Sequence, residues 1–415
     1  MKDEKKAPKL RFKGFTDDWE QRKLSDISEK SYEKNTDNKY STVLTNSAEY
    51  GIVKQRDFFD KDIANSSNIL GYYVVGKNFF VYNPRISNHA KFGPINRNKL
   101  DETGIMSPLY LVFTVHDIDE SFLETLFQTT TWHRFMYQNG DTGARADRFA
   151  IKDSTFMSMP IKVPSLEEQH KLALAFQKLD QTITLHEEKK RQLERLKSAL
   201  LQKMFADKSG YPAVRFRRYN TAWKQAELGN LMDVGSVKRI HQSDWQDSGI
   251  RFVRARDIVA EYKHEKIDKK LYIDKDIYIK YSMLSGKVHS GDLLVTGVGT
   301  IGIPMLIKNE IPIYFKDGNI IWFKNNNTIN GYFLYYSFSS KNIRNFIKAS
   351  AGTGTVVTYT IENGKKTPII LPSNQVEQRE IGLCFHQLDY LISLYQKKID
   401  RLNSIKQSFL QQMFI

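Results

Sequence analysis

Ile161-Lys-Val-Pro164-Ser-Leu-Glu-Glu168-Gln169 begins the stretch that decides how this chain folds, and the chain repeats it as Ile370-Leu-Pro372-Ser-Asn-Gln-Val-Glu377-Gln378. Behind the first copy, from about Leu166 to Phe205, there is no Pro or Gly. Apolar residues fall at Leu172, Phe176, Leu179 and Ile183, then at Leu193, Leu196, Leu200 and Met204. Steps of three and four residues make one stripe on a helix. The charged run Glu187-Glu188-Lys189-Lys190-Arg191 interrupts it. The second copy has no such gap: Ile381, Phe385, Leu388, Ile392, Tyr395, Ile399, Leu402, Ile405 and Phe409. Its one glycine, Gly382, lowers helix propensity without breaking the run. Pro164-Ser165 and Pro372-Ser373 precede the two runs. Proline cannot continue a strand ladder, and serine is a good N-cap. Glu167, Glu168 and Glu377 then fall near the first turn, where carboxylates suit the helix dipole.

The repetition continues along each run. Phe176, Leu179-Asp180, Ile183, Leu193 and Met204-Phe205 return as Phe385, Leu388-Asp389, Ile392, Leu402 and Met413-Phe414, so Glu168 and Glu377 lie 209 residues apart. A second repeat lies upstream. Pro8-Lys-Leu-Arg11-Phe12 with Trp19 and Leu24 matches Pro212-Ala-Val-Arg215-Phe216 with Trp223 and Leu228, 204 residues later. The chain is therefore two tandem half-molecules. Each run predicts a helix of roughly 60 Å at 1.5 Å per residue. A stripe this narrow, with polar residues around the rest of the circumference, needs a partner helix, and the other copy supplies one. Two copies about a pseudo-two-fold axis pair antiparallel.

Between the runs, residues 20–160 and 224–370 read as mixed α/β. Short apolar segments such as Phe79–Tyr82, Leu109–Phe113, Leu293–Val295 and Ile320–Phe323 are bounded by Gly, Asn, Pro and Asp, as strands are. Short helices are expected at Glu120–Thr129 and Tyr332–Phe338. The two modules match only loosely, at Val53-Lys54-Gln55-Arg56-Asp57 against Val253-Arg254-Ala255-Arg256-Asp257 and at the Gly-rich segments near 140 and 352. The predicted class is α+β: two mixed α/β modules joined by two long helices that form an antiparallel coiled coil. The predicted divisions are 1–160, a flank and first module; 161–207, a long helix; 208–370, a second flank and module; and 371–415, the last helix. Trp19, Trp223, Phe12 and Phe216 are expected to pack each module onto its helices, and Cys384 to fill the seam between them.

Composition narrows the function. The 40% apolar and 12% aromatic content can fill cores, so the chain is not a disordered one. A single cysteine excludes an internal disulfide framework and a multi-thiolate zinc site, and fits a reducing cytoplasm. The charged start Met1-Lys-Asp-Glu-Lys-Lys6 does not read as a signal peptide. No apolar run approaches the roughly 20 residues of a bilayer span, and no membrane partner is expected. The net charge of +15 points to nucleic acid, because neutralising phosphates releases counterions. Motifs for catalysis fail on context. Gly297-Val-Gly299-Thr-Ile-Gly302 fits a dinucleotide pattern, but Ile303-Pro304 follows and no helix begins there. Gly352-Thr-Gly-Thr355 lacks the Gly-Lys-Ser/Thr ending of a phosphate loop. Asn83-Pro84-Arg85 lacks the second proline and stacking aromatic of amino-methyltransferases, and the nine histidines form no metal-ligand spacing. The chain reads as a binder and scaffold.

A module, a long helix, a second module and a second long helix, with repeated flanks, resembles the specificity (S) subunit of type I restriction-modification systems. The residues that carry the resemblance are the two Pro-Ser…Glu-Gln segments, the Arg-Phe…Trp flanks and the endings Leu-Leu-Gln-Lys-Met-Phe205 and Leu-Gln-Gln-Met-Phe414. It spans essentially all 415 residues. The resemblance implies two target-recognition domains, each reading one half of a split site in double-stranded DNA, with the paired helices setting the spacer. It implies two methyltransferase subunits that methylate adenine N6, and up to two restriction and translocase subunits. S-adenosylmethionine, ATP and magnesium then belong to those partners and none to this chain. The implied location is the bacterial cytoplasm, on the nucleoid.

Arginine reads guanine edges best, Asn or Gln reads adenine, and Thr contacts thymine methyls. Candidate DNA-binding residues in the first module are Asn83, Arg85 and Lys91 after the strand ending near Val81, with Arg145 and Arg148. In the second they are Arg254 and Arg256, Thr296 and Thr300 in the Gly-rich turn, and Thr353 and Thr355. Most protein contacts to DNA go to the backbone, so phosphate contact is the competing role for the arginines. A coiled-coil structural protein with an incidentally basic surface is the alternative to a DNA reader. An enzyme in its own right is disfavoured by the missing motifs.

Overall fold

The computed structural model describes residues 6–58, 69–142, 147–351 and 357–415. Two compact units divide the chain: Met1–His186 with Lys397–Ile415, and Glu187–Gln396. Each therefore takes one module and a part of both long helices, Leu166–Lys203 and Gln375–Gln412, instead of leaving the helices as separate pieces. Among the described residues no helix is long and apolar enough to cross a membrane.

In the first unit, strands Ser28–Lys30, Leu111–Val115, Phe80–Tyr82 and Ile95–Arg97 form an antiparallel sheet in that spatial order. Two antiparallel strand pairs accompany it: the hairpin of Leu44–Ser47 with Gly51–Lys54, and the long-range pair of Tyr73–Val75 with Gly104–Met106. The second unit builds its antiparallel sheet from Asp233–Gly235, Ile320–Lys324, Leu293–Thr296 and Pro304–Leu306. Taken in chain order, both sheets run first, fourth, second, third. The second unit adds another four-stranded sheet, in which Ile250–Val253 pairs parallel with Ile313–Phe315. Buried Phe252, Tyr314 and Trp322 fill the space against it.

An entry strand and an exit strand close each module. Glu20–Lys23 pairs antiparallel with Pro160–Val163, and Lys224–Glu227 with Pro368–Leu371. The exit strand leads straight into a long helix. Ser165 caps the first helix, its backbone carbonyl accepting from Gln169 N at 2.9 Å. At the second helix Asn374 takes that place in preference to Ser373: its Oδ1 accepts from Val376 N at 2.9 Å. The short helices lie at Glu120–Phe127 and Gly331–Ser337.

The helices run antiparallel, and each unit shows it. In the first, Phe176 packs on Phe414 and Asp180 pairs with Lys406 at 2.7 Å. In the second, Phe205 stacks on Phe385 and Lys197 pairs with Asp389 at 2.5 Å. Asp180 to Lys197 and Asp389 to Lys406 are both 17 residues, so the ion pairs keep one register. Leu172, Phe176, Leu410 and Phe414 join the first core beside Phe80, Phe113 and Phe122. Met204, Ile381, Phe385 and Leu388 join the second beside Phe323 and Phe333. Two helix residues depart from expectation. Leu196 is exposed while its neighbour Lys197 turns to Asp389, and Cys384 is only partly buried beside the fully covered Phe385.

Candidate nucleic-acid interface

The repeated residues fix each module to its helix. Arg11 Nε and a terminal guanidinium nitrogen each donate to Glu168 at 2.7 Å. Arg215 does the same to Glu377 at 2.7 and 2.9 Å. Both carboxylates are 1% exposed. The adjacent glutamines make a second matched contact. Gln169 Oε1 accepts from Asp119 N and its Nε2 donates to the Pro164 carbonyl, at 2.9 and 2.8 Å. Gln378 Oε1 accepts from Asn330 N and its Nε2 donates to the Pro372 carbonyl, both at 2.9 Å. Asp119 and Asn330 are the N-caps of the two short helices. Each Glu-Gln pair thus ties the start of a long helix to its upstream flank and to the start of a module helix. Trp19 packs edge-on to Phe122 and Phe414, and Trp223 packs edge-on to Phe333. Trp223 Nε1 also donates to Glu377 Oε1 at 3.2 Å, whereas buried Trp19 Nε1 has no partner.

On the first module a cleft of about 640 Å³ opens among Asn46, Gln55, Arg85, His89, Tyr110 and Arg148. Backbone bonding positions its arginines. Phe149 N donates to the Pro84 carbonyl at 2.8 Å and Ile86 N to the Asp147 carbonyl at 3.0 Å, so Arg85 and Arg148 oppose each other across an antiparallel bridge. Opposed residues of this kind project to one side, with side chains close together. Arg85 is largely exposed and meets Asp147 only at 3.8 Å. Lys91 is exposed on the following turn, outside the cleft lining. Burial, with the nearby charge of Lys91, holds His133 below the usual imidazole value.

Asn83 lines this cleft, but its side chain is engaged by backbone. It is buried, its Nδ2 donates to the Asn46 carbonyl at 2.8 Å, and its Oδ1 accepts from Arg85 N at 3.0 Å. Thr296 is the same case in the second module. It is 0% exposed; its Oγ1 donates to the Thr300 carbonyl at 2.6 Å and accepts from Ile303 N at 2.9 Å. Asn83 follows an inner strand of the main sheet and Thr296 ends one, and each bonds the turn that comes after, so both side chains are engaged in the fold. Arg254 is likewise engaged: with Arg251 it binds buried Asp257, at 2.9 and 3.2 Å. Arg256, in the first turn of Ala255–Tyr262, and Thr300, in the Gly-rich turn, are exposed. Arg145, Thr353 and Thr355 lie outside the described residues.

Sequence reasoning passed over Arg11 and Arg215 as partners for the helix-start carboxylates, although both belong to its repeats. It also passed over a cavity of about 440 Å³ in the second unit, lined by Tyr332, Tyr335, Tyr336, His386 and Asp389. There Tyr336 donates to Asp389 at 2.6 Å; burial and that carboxylate raise the phenol well above its usual range.

The model of the type I restriction modification DNA specificity domain matches residues 16–195 and again 220–404. The chain belongs to this specificity family. A Haemophilus influenzae protein provisionally named as a type I restriction enzyme specificity subunit is 28% identical over 165 residues, 39% of each chain. The alignment thus spans about two-fifths of that relative's length. The MjaVIII specificity subunit of Methanocaldococcus jannaschii is 22% identical over 324 residues, 74% of this chain and 69% of its own. Two solved structures share the fold. The S subunit of a type I restriction-modification system from M. genitalium has a TM-score of 0.58 at 15% identity, with 99% of both chains covered. A chain from a study of assembly and conformational transition of a type I restriction-modification system has a TM-score of 0.53 at 14% identity, covering 95% and 97%. The specificity-family match falls once on each module, so the tandem halves found in the sequence are the family's repeated domain.

Proposed function

We propose that this chain is the DNA-reading subunit of a type I restriction-modification enzyme. It catalyses nothing itself and directs adenine-N6 methyltransferase subunits, two per chain, to a bipartite target in double-stranded DNA. The observation that carries this reading is the duplicated attachment: one Arg–Glu pair and one bridging glutamine at the base of each module, on helices paired in one register. The attachment is conserved between the halves while the exposed side chains differ, which is what two different readings from one geometry require. Each module reads one half-site and the paired helices set the spacer between them. Half-sites on one face of B-DNA lie roughly 34–36 Å apart, a distance that a stiff helix pair can hold and a flexible linker cannot.

The methyltransferase subunits flip the target adenine out of the stack, because its exocyclic amine is held in the base pair. S-adenosylmethionine is bound there, and ATP and magnesium in restriction subunits where these join. The failed dinucleotide and phosphate-loop motifs of this chain agree with that division of labour. The net charge of +15 supplies the sequence-independent attraction to DNA. Replacing residues 20–160 with the matching module of another family member tests the reading. The expected result, read from methylated adenines in cells that also express the partner subunits, is a change in one half of the target alone. A change in both halves, or in neither, contradicts it.

A further inference from the structure

The two modules carry the same bridge at the same place, and its side chains differ. In the first, Phe149 N donates to the Pro84 carbonyl at 2.8 Å and the bridge pairs Arg85 with Arg148. In the second, Tyr359 N donates to the Gly297 carbonyl, also at 2.8 Å, and the bridge pairs Val298 with Thr358. The surroundings match. Pro84 and Gly297 both follow the turn-building residues Asn83 and Thr296, and Phe149 and Tyr359 are both buried aromatics. A Cβ on Gly297 would lie 2.7 Å from the Tyr359 carbonyl oxygen, so the close approach of the two segments depends on that glycine. Val298 and Thr358 are both partly exposed.

We propose that this bridge is the specificity-determining position of each module: Arg85 and Arg148 select a guanine, and Val298 and Thr358 select the thymine methyl of an A·T pair. The inference rests on the DNA-reading function and names the residues that carry it. Two arginines opposed on one bridge, with one loosely placed carboxylate beside Arg85, leave guanidinium donors for acceptors from outside the module. Arg85 and Arg148 line the cleft of about 640 Å³ that would admit them. A guanidinium fork fits the O6 and N7 of guanine, whereas valine and the threonine methyl fit the thymine C5-methyl. Sequence reading missed Val298 and Thr358 because neither is charged and they lie 60 residues apart.

The test uses the full chain with its methyltransferase partners and sequencing of methylated adenines. Arg85→Val with Arg148→Thr is expected to remove a guanine preference at one fixed position of the half-site read by the first module, by roughly tenfold or more, and to leave the other half intact. Val298→Arg with Thr358→Arg is expected to replace an A·T preference with guanine in the second half alone. Arg85→Lys with Arg148→Lys keeps the charge and loses the fork, so methylation persists with relaxed choice at that position. An unaltered target in all three variants overturns the proposal. So does a uniform loss of methylation in the Val/Thr variant when the lysine variant keeps the full target, because that is the behaviour of phosphate contacts. Absence of a two-part target in the parent chain is a different result and sinks the underlying function.

Discussion

Arg11 and Arg215 each set a guanidinium against a carboxylate almost wholly shielded from water. Removing one member of such a pair leaves an uncompensated buried charge, which costs about 3–5 kcal/mol. Arg215→Ala is therefore expected to lower the stability of the second unit by that amount in urea unfolding. Arg215→Met with Glu377→Leu removes both charges, and it should recover most of the loss. A cost under about 1 kcal/mol for Arg215→Ala would show that the pair does not hold the module to its helix. These partners stand 157 and 162 residues apart, so no local pattern joins them. What was legible was that Arg11 and Glu168 both recur in the second half; a buried carboxylate needs a cation, and a cation repeated in step with it was the available signal. Asn83 and Thr296 mislead in the opposite direction. Each is a good base-reading residue type, but each also suits a turn, where its side chain bonds the local backbone.

Gly382 lies in the third turn of the Gln375–Gln412 helix, an interior position where propensity alone favours alanine by about 1 kcal/mol. The packing opposes this. A Cβ at Gly382 would meet Phe333 N at 2.8 Å and Tyr332 Cβ at 2.7 Å, so the glycine lets the Gly331–Ser337 helix approach. Gly382→Ala is expected to destabilise the second unit, a negative shift in melting temperature; a gain in stability would mean that the approach is loose. The first unit carries Ala173 at the matching position, buried against its own neighbours. The long helices were readable because their stripes run over about ten turns, and the two inner strands of each four-stranded main sheet because they are apolar and closed by turn residues. Leu196 was not, because its neighbour Lys197 reaches inward to the Asp389 carboxylate and displaces the leucine from the seam. The entry strand Lys224–Glu227 was not legible either: it is polar and largely exposed, so no apolar run marks it.

At the scale of the molecule, the paired helices are proposed to act as a ruler. Asp180–Lys406 and Lys197–Asp389 share one register, so removing the same number of whole turns from both helices preserves their antiparallel match. Such a shortened chain is expected to recognise the same two half-sites with a smaller spacer. Altered halves at the original spacer would assign the helices a different role. Tandem repetition made the two-module plan legible at once. The bases each module reads were not, because they depend on which side chains two distant segments bring across one bridge. The central claim is a reader with two heads at a fixed separation. Sequencing methylated adenines in cells that carry this chain with its methyltransferase partners tests it most directly. The account predicts two short specific segments separated by a non-specific spacer of constant length. A single continuous motif, a spacer of variable length, or no adenine methylation with competent partners present would contradict it.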